Sequence, residues 1–236
     1  MNPTNDAKNM RDRLIVALDF PETSEALDLV CDLSGEVTFF KIGLQLYTAA
    51  GPEIVRAVSG TGAQIFLDLK LHDIPNTVSK AVSSAADLGV SMLTIHLSGG
   101  RRMIEAAVAA CPSHLLLLGV TVLTSSDETT LREVGIDSSV EEQTVRLARL
   151  GAEVGLRGLI ASPHEVRTLR DQVSEKMTII TPGVRPSWTG ADDQKRFTTP
   201  REALENGADR LVIGRPITAA SDPRAAVRRI LSELTE

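Results

Sequence analysis

Two acids and a lysine crowd the run Asp68-Leu69-Lys70-Leu71-His72-Asp73-Ile74-Pro75-Asn76-Thr77, directly behind the apolar stretch Ala63-Gln64-Ile65-Phe66-Leu67. The apolar stretch reads as a β-strand. Side chains two apart on a strand share a face, so Asp68 and Lys70 emerge together at its carboxyl end, with Asp73 close behind. Charges at the end of a buried strand are costly unless they pair, and in α/β folds that end is where ligands bind. The stretch is a chemical site on these grounds alone.

Other strand-like runs also end in chemistry. Leu14–Asp19 closes on Asp19, Val37–Gly43 carries Lys41 behind Phe39-Phe40, and Ser91–Leu97 ends near His96. The run His114–Val122 leads to Thr124, Met177–Thr181 to Arg185, and Arg210–Gly214 to Arg215. Each of these residues also has a plainer role. Asp19 could begin a turn, and His96 could be a satisfied polar core residue. Lys41 lies inside an apolar strand and needs a partner, Asp19 or Asp68, in either case. Asp73 could cap a helix, but with Pro75 at the first helical position the cap is Ile74 and Asp73 falls outside.

A second signal suits an anion. In Val212-Ile213-Gly214-Arg215-Pro216-Ile217 the glycine lets backbone N–H groups approach a ligand, and Arg215 adds a permanently charged fork. Pro216 suits the start of a short helix. Arg185 and Gln194, on the long loop Pro182–Pro200, lie on the segment after the seventh run. Lys195 and Arg196 read as solvated loop charges.

The elements that must position these groups alternate strictly. The remaining apolar run is Leu156–Ala161, and helical patterns occupy Thr23–Leu33, Pro75–Leu88, Gly100–Cys111, Ser139–Val154, Arg201–Asn206 and Pro223–Leu234. The first helix has an N-cap candidate at Thr23 or Ser24, and several end at glycine or proline. Eight β-then-α repeats in 236 residues predict an α/β fold made of a single (β/α)8 TIM barrel spanning 1–236, with 1–12 as a loose N-terminal arm. The loops after strands seven and eight are the habitual phosphate site of that fold. A doubly wound sheet is the rival, but Leu18-Asp19-Phe20-Pro21 lacks the glycine-rich dinucleotide turn. A second long loop, Thr124–Ser138, follows strand five, and long loops of this kind are commonly lids or binding loops.

Net charge is −6, which gives no electrostatic footprint for nucleic acid. Cys31 and Cys111 are the only cysteines and read as reduced thiols. No run is apolar for long enough to span a bilayer, and the first dozen residues lack a signal-peptide core. A cytoplasmic protein with no membrane partner is expected. His72, His114 and His164 show no metal-ligand spacing, so no metal is expected.

With these residues in view, the chain resembles the orotidine 5′-phosphate decarboxylase family in its short bacterial form, over essentially its whole length. The most specific element is Asp68-x-Lys70-x-x-Asp73-Ile74-Pro75-Asn76-Thr77. Phe40-Lys41-Ile42-Gly43, Thr121-Val122-Leu123-Thr124-Ser125 and Thr181-Pro182-Gly183-Val184-Arg185 support it. The resemblance implies a carboxy-lyase of pyrimidine (UMP) biosynthesis that needs no cofactor, with Lys70 protonating C6 of the pyrimidine as carbon dioxide leaves. It places Asp68 against the departing carboxylate, with Lys41 and Asp73 completing an alternating charge array. Asp19 and Lys41 would meet the ribose and Thr124 the base. Arg185, Gln194, Gly214 and Arg215 would hold the 5′-phosphate. Ile74 and Pro182 complete the implied substrate contacts. Asp73 and Thr77 would come from the neighbouring subunit of a homodimer.

Two rivals remain at this point. Metal-dependent sugar-phosphate decarboxylases or synthases of the same barrel superfamily share the Asp-x-Lys-x-x-Asp run but carry a glutamate where Lys41 stands, and a lysine there would repel the metal. A non-catalytic nucleotide-binding barrel would need the anion site but not the Asp68/Lys70 pair.

Overall fold

In the computed structural model, which describes residues 10–189 and 198–234, eight parallel strands close on themselves in the order β1-β2-β3-β4-β5-β6-β7-β8. They are β1 (Leu14–Ala17), β2 (Phe39–Gly43), β3 (Gln64–Leu71), β4 (Met92–His96), β5 (Leu116–Val120), β6 (Gly158–Ile160), β7 (Thr178–Pro182) and β8 (Arg210–Ile213). This is the expected (β/α)8 barrel. Each strand lies within the run assigned to it or overruns by one residue. Several runs extend past the ladder because residues flanking it, such as Leu18, are also fully buried.

The alternation of side chains divides each strand between two cores. Ile15, Phe39, Phe66, Met92, Leu118, Ile160, Ile180 and Val212 point inward and pack on one another. Their neighbours Leu14, Val16, Phe40, Ile65, Leu67 and Leu93 point outward, beneath the helices. Both faces are apolar, as parallel strands covered by helices require. At the amino end of the barrel the Arg210 guanidinium lies 4.1 Å from the centre of the Phe39 ring.

The first described residues, 10–13, form a helical turn (α1) that feeds β1, and Arg11 donates to the Gly35 carbonyl at 2.8 Å. The expected loose arm is therefore anchored from residue 10, and its first nine residues lie outside the described ones. Helix α2 (Thr23–Asp32) begins at Thr23, with Glu22 in the cap position and no side-chain cap bond, so neither Thr23 nor Ser24 caps it. Between β2 and β3 lie two helices that the apolar pattern did not reveal, α3 (Leu44–Ala50) and α4 (Pro52–Ser59). Gly51 separates them at φ 64°, a left-handed turn that glycine adopts without strain, and Pro52 opens the second.

Helix α5 (Pro75–Asp87) has Pro75 at its first position and Ile74 as cap, as expected. It ends before Gly89, at φ 74°. Helix α6 (Arg101–Ala110) lies between β4 and β5 in the chain and packs against α5. The long segment after β5 holds a short helix, α7 (Glu128–Glu133), capped by Asp127, which accepts from the Thr130 N–H at 2.9 Å. Helix α8 (Val140–Glu153) starts with a full capping box between Ser139 and Glu142. Helix α9 (Val166–Gln172) follows β6. The chain closes through α10 (Pro200–Glu205), α11 (Arg215–Thr218) and α12 (Pro223–Glu233). Among the described residues no helix is long and apolar enough to cross a membrane, and Cys31 and Cys111 are free thiols.

Candidate active site

The carboxyl ends of the strands surround a cavity of about 320 Å³. Alternation along β2 turns Lys41 inward, two residues beyond Phe39, where it stands opposite Ala17 and Phe66. Asp68 follows Phe66 into the same space, opposite Gly43. The result is a row of opposite charges. Lys41 Nζ lies 3.0 Å from Asp19 Oδ1 and 3.9 Å from Asp68 Oδ2. Lys70 Nζ donates to both Asp68 oxygens, at 2.9 and 2.8 Å. Lys41 thus has the two partners that its burial demands. The side chains of Asp68 and Lys70 are 13% and 29% exposed, so the ammonium reaches the cavity while the carboxylate is largely enclosed.

Lys70 owes its place to an irregularity. Leu67 pairs with Leu93 but Leu71 pairs with Ile95, so four steps along β3 match two along β4. This bulge turns Lys70 to φ 49°, the only positive φ at a non-glycine residue among those described. Such a backbone costs about 1–3 kcal/mol and persists only where its surroundings hold it. Here Lys70 N–H donates to Thr94 Oγ1 at 2.8 Å, and Thr94 in turn donates to Asp68 Oδ1 at 3.0 Å.

Across the cavity the loop after β7 bends at Gly183 (φ 77°) and pairs Val184 with Thr198, where Arg185 N–H donates to the Thr198 carbonyl at 3.1 Å. Arg185 is buried and lines the cavity, as do Gly214, Arg215 and Pro216 from the end of β8. Thr124 and Pro182 complete the expected lining. The same cavity is lined by apolar side chains, Phe66, Val120, Val122, Ile160, Ala161 and Val212. The strand pattern marked these positions as buried, but only closure of the barrel shows which of them face a ligand. The cavity suits a ligand that combines an apolar body with polar groups and an anion.

The structure therefore gathers Asp19, Lys41, Asp68, Lys70, Thr124, Pro182, Arg185, Gly214 and Arg215 around one space. It does not bring Asp73, Ile74 or Thr77 there within this chain. All three are exposed at the start of α5, and the Asp73 carboxylate accepts from the Ile74 N–H at 2.6 Å. Gln194 lies outside the described residues. His96 does not line the cavity. Its pKa is lowered, chiefly by burial and then by nearby His72 and Lys70, and its ring lies 5.6 Å from that of His72. It fits the plainer role of a polar core residue. Thr94 escaped the sequence reading. The signal available was its place two residues before His96, on the inward face of β4. Among the described residues no cluster of three or more His, Cys, Asp and Glu could hold a metal ion.

Residues 12–230 match the family model described as orotidine 5′-phosphate decarboxylase / HUMPS family. The orotidine 5′-phosphate decarboxylase of Opitutus terrae is 54% identical over 224 residues, covering 94% of this chain and 97% of that protein. The orotidine 5′-phosphate decarboxylase of Nitrosospira multiformis is 47% identical over 225 residues, covering 95% and 94%. Among solved structures, orotidine 5′-phosphate decarboxylase from Lactobacillus acidophilus superposes with a TM-score of 0.84 at 36% identity, over 95% of this chain and 100% of that one.

Proposed function

Because the chain belongs to the orotidine 5′-phosphate decarboxylase / HUMPS family, we propose that its cavity converts orotidine 5′-monophosphate to uridine 5′-monophosphate and carbon dioxide, in pyrimidine biosynthesis. The observation that carries this reading is the Asp19–Lys41–Asp68–Lys70 row lining one cavity together with Arg185, Arg215 and a set of apolar side chains. The pyrimidine lies against the apolar side chains and Thr124. The ribose hydroxyls meet Asp19 and Lys41. The phosphate takes Arg185, Arg215 and the Gly214 backbone, with Pro182 closing that side.

In the reaction the bond between C6 and the carboxylate carbon breaks, carbon dioxide leaves and the electron pair stays on C6. Lys70 Nζ stabilises the developing carbanion and gives it a proton, after which the amine regains one from solvent. An ammonium already held by two hydrogen bonds needs little reorganisation as charge appears on C6. Asp68 sits where the departing carboxylate must lie. Binding energy from the remote phosphate supports events at the ring. No metal or organic cofactor takes part in this scheme. A divalent cation beside Asp68 would meet the Lys41 ammonium, which argues against the metal-dependent relatives of this barrel.

The site is completed by a second copy of the chain. Asp73, Ile74 and Thr77 are exposed on one chain, and Ile74 is 65% exposed although apolar. In a homodimer these residues reach the partner's cavity and Asp73 extends the partner's charge row. The substrate is a metabolite in water, and the protein works in the cytoplasm without nucleic acid or membrane.

The test is an assay of purified protein with orotidine 5′-monophosphate in excess chelator, followed by substrate absorbance. Undiminished turnover is expected. No turnover, or turnover that returns only with added divalent metal, would overturn the reading.

A further inference from the structure

We propose that Thr94 is a positioning residue for Lys70, holding the backbone of the proton donor and its carboxylate partner through one buried hydroxyl. The proposal rests on the decarboxylase reading for its kinetic consequence but on geometry alone for the contact. Thr94 is fully buried on the inward face of β4, two residues past Met92 of the interior cluster. A hydroxyl so placed costs stability unless it finds partners. It finds two, and both belong to the bulged end of β3.

One hydroxyl offers one proton and two lone pairs. Thr94 Oγ1 accepts from Lys70 N–H at 2.8 Å and donates to Asp68 Oδ1 at 3.0 Å. Asp68 accepts from Lys70 Nζ at 2.9 and 2.8 Å. The bonds form a closed ring in which Lys70 takes part twice, through its main chain and through its ammonium.

The bulge explains why the ring is needed. It frees Lys70 N–H from the regular β3–β4 ladder, and the Thr94 side chain takes that proton instead. The left-handed backbone at Lys70 is otherwise unfavourable for a residue with a Cβ. Thr94 suits the task because its branched Cβ restricts the side-chain torsion, so the oxygen stays aimed at the bulge. A serine keeps the oxygen, whereas a valine keeps only the shape.

Two variants separate positioning from packing. Were Thr94 only filling space, Thr94→Val would be tolerated and Thr94→Ser, which leaves a methyl-sized hole, would be the worse. Positioning predicts the reverse order. Thr94→Val should lower kcat about 10- to 100-fold, the scale of a lost hydrogen bond to a charged group, with KM within about threefold. Thr94→Ser should stay within about threefold of the parent in both.

Amide hydrogen exchange at Lys70 gives a readout that does not depend on activity. The amide should be protected in the parent and in Thr94→Ser, and should exchange at least about tenfold faster in Thr94→Val. If the parent fails to turn over orotidine 5′-monophosphate, the decarboxylase reading falls while the exchange measurement still judges the contact. If Thr94→Val does not fold, Thr94→Ala provides the same comparison with serine. Parent-like kcat and Lys70 protection in the hydroxyl-free variant would overturn the proposal.

Discussion

Substituting alanine for Gly43 would displace one charge of the row without removing it. Gly43 has φ −96° and ψ −176°, a conformation open to any residue, so alanine adds no backbone strain. A Cβ there would lie 2.9 Å from Lys41 Nζ and 3.5 Å from Asp19 Oδ1. The backbone cannot easily retreat, because Gly43 pairs with Asp68 in the β2–β3 ladder. The ammonium, at the end of a flexible chain, is what moves. A shift of about 0.5 Å restores an ordinary contact and lengthens both ion pairs. At an effective dielectric of about 20, such lengthening weakens Lys41–Asp19 by about 0.8 kcal/mol and Lys41–Asp68 by about 0.5 kcal/mol. Asp19 is 59% exposed, so solvent screening discounts its share. To the extent that the transition state uses the same preorganised charges, kcat/KM should fall roughly fivefold, and further if the misplaced ammonium no longer meets the ribose. Steady-state kinetics with orotidine 5′-monophosphate would measure this, alongside urea unfolding. Stability should change by less than about 1 kcal/mol, since the shifted group is a side-chain end. A kcat/KM within twofold of the parent would refute the view that Gly43 keeps space for Lys41. Loss of activity through unfolding would equally count against it.

Arg215→Ala should damage turnover of the phosphorylated substrate far more than that of the bare nucleoside, by a margin on the order of 2–5 kcal/mol; equal damage to both would make Arg215 a structural residue. Lys70→Ala and Asp73→Ala proteins, each nearly inactive, should regain roughly a quarter of normal activity when mixed and allowed to exchange, because half the dimers are hybrids with one intact site of two. No recovery, with exchange verified by mass spectrometry, would place Asp73 in its own chain's site. Burial pushes the Glu165 carboxyl from 4.5 up to about 7, against the bond it accepts from Ser162 N–H. Folded Glu165 thus keeps a proton that the unfolded chain loses, so its contribution is intact below about pH 4.5 and is lost as pH rises towards about 7. Glu165→Gln should therefore be more stable than the parent at about pH 8, by up to about 3 kcal/mol, and the gap should close near pH 4. Urea unfolding at the two pH values measures it, and a gain independent of pH would contradict the assigned burial.

Much of the architecture is local enough to read from the chain. Runs such as Leu14–Ala17 and Leu116–Val120 are apolar on both faces because parallel strands under helices must be. Glycine and proline mark helix limits at Pro75, Gly89 and Gly155 through backbone geometry that acts within a few residues. Alternation alone puts Asp68 beside Phe66 on the inner face, and burial alone requires a partner for Lys41. Helices α3 and α4 were not legible, since their few buried residues are spread over two short pieces around Gly51.

What the tertiary structure decided is everything that depends on closure and register. The spacing Asp68-x-Lys70 suggests a regular strand, yet the bulge against β4 turns Lys70 into a left-handed backbone. Thr94 touches Asp68 from 26 positions along the chain, and no local pattern distinguishes it from other buried threonines. The same closure brings β8 against β1 and carries Gly214 to within 3.6 Å of Asp19, measured from the Cβ that glycine lacks. It also leaves Asp73 outside its own cavity, although only two residues separate it from Lys70 in the sequence. Residue types and spacing determined which groups could react. Long-range hydrogen bonds and ring closure, which no short window of sequence contains, decided which of them meet.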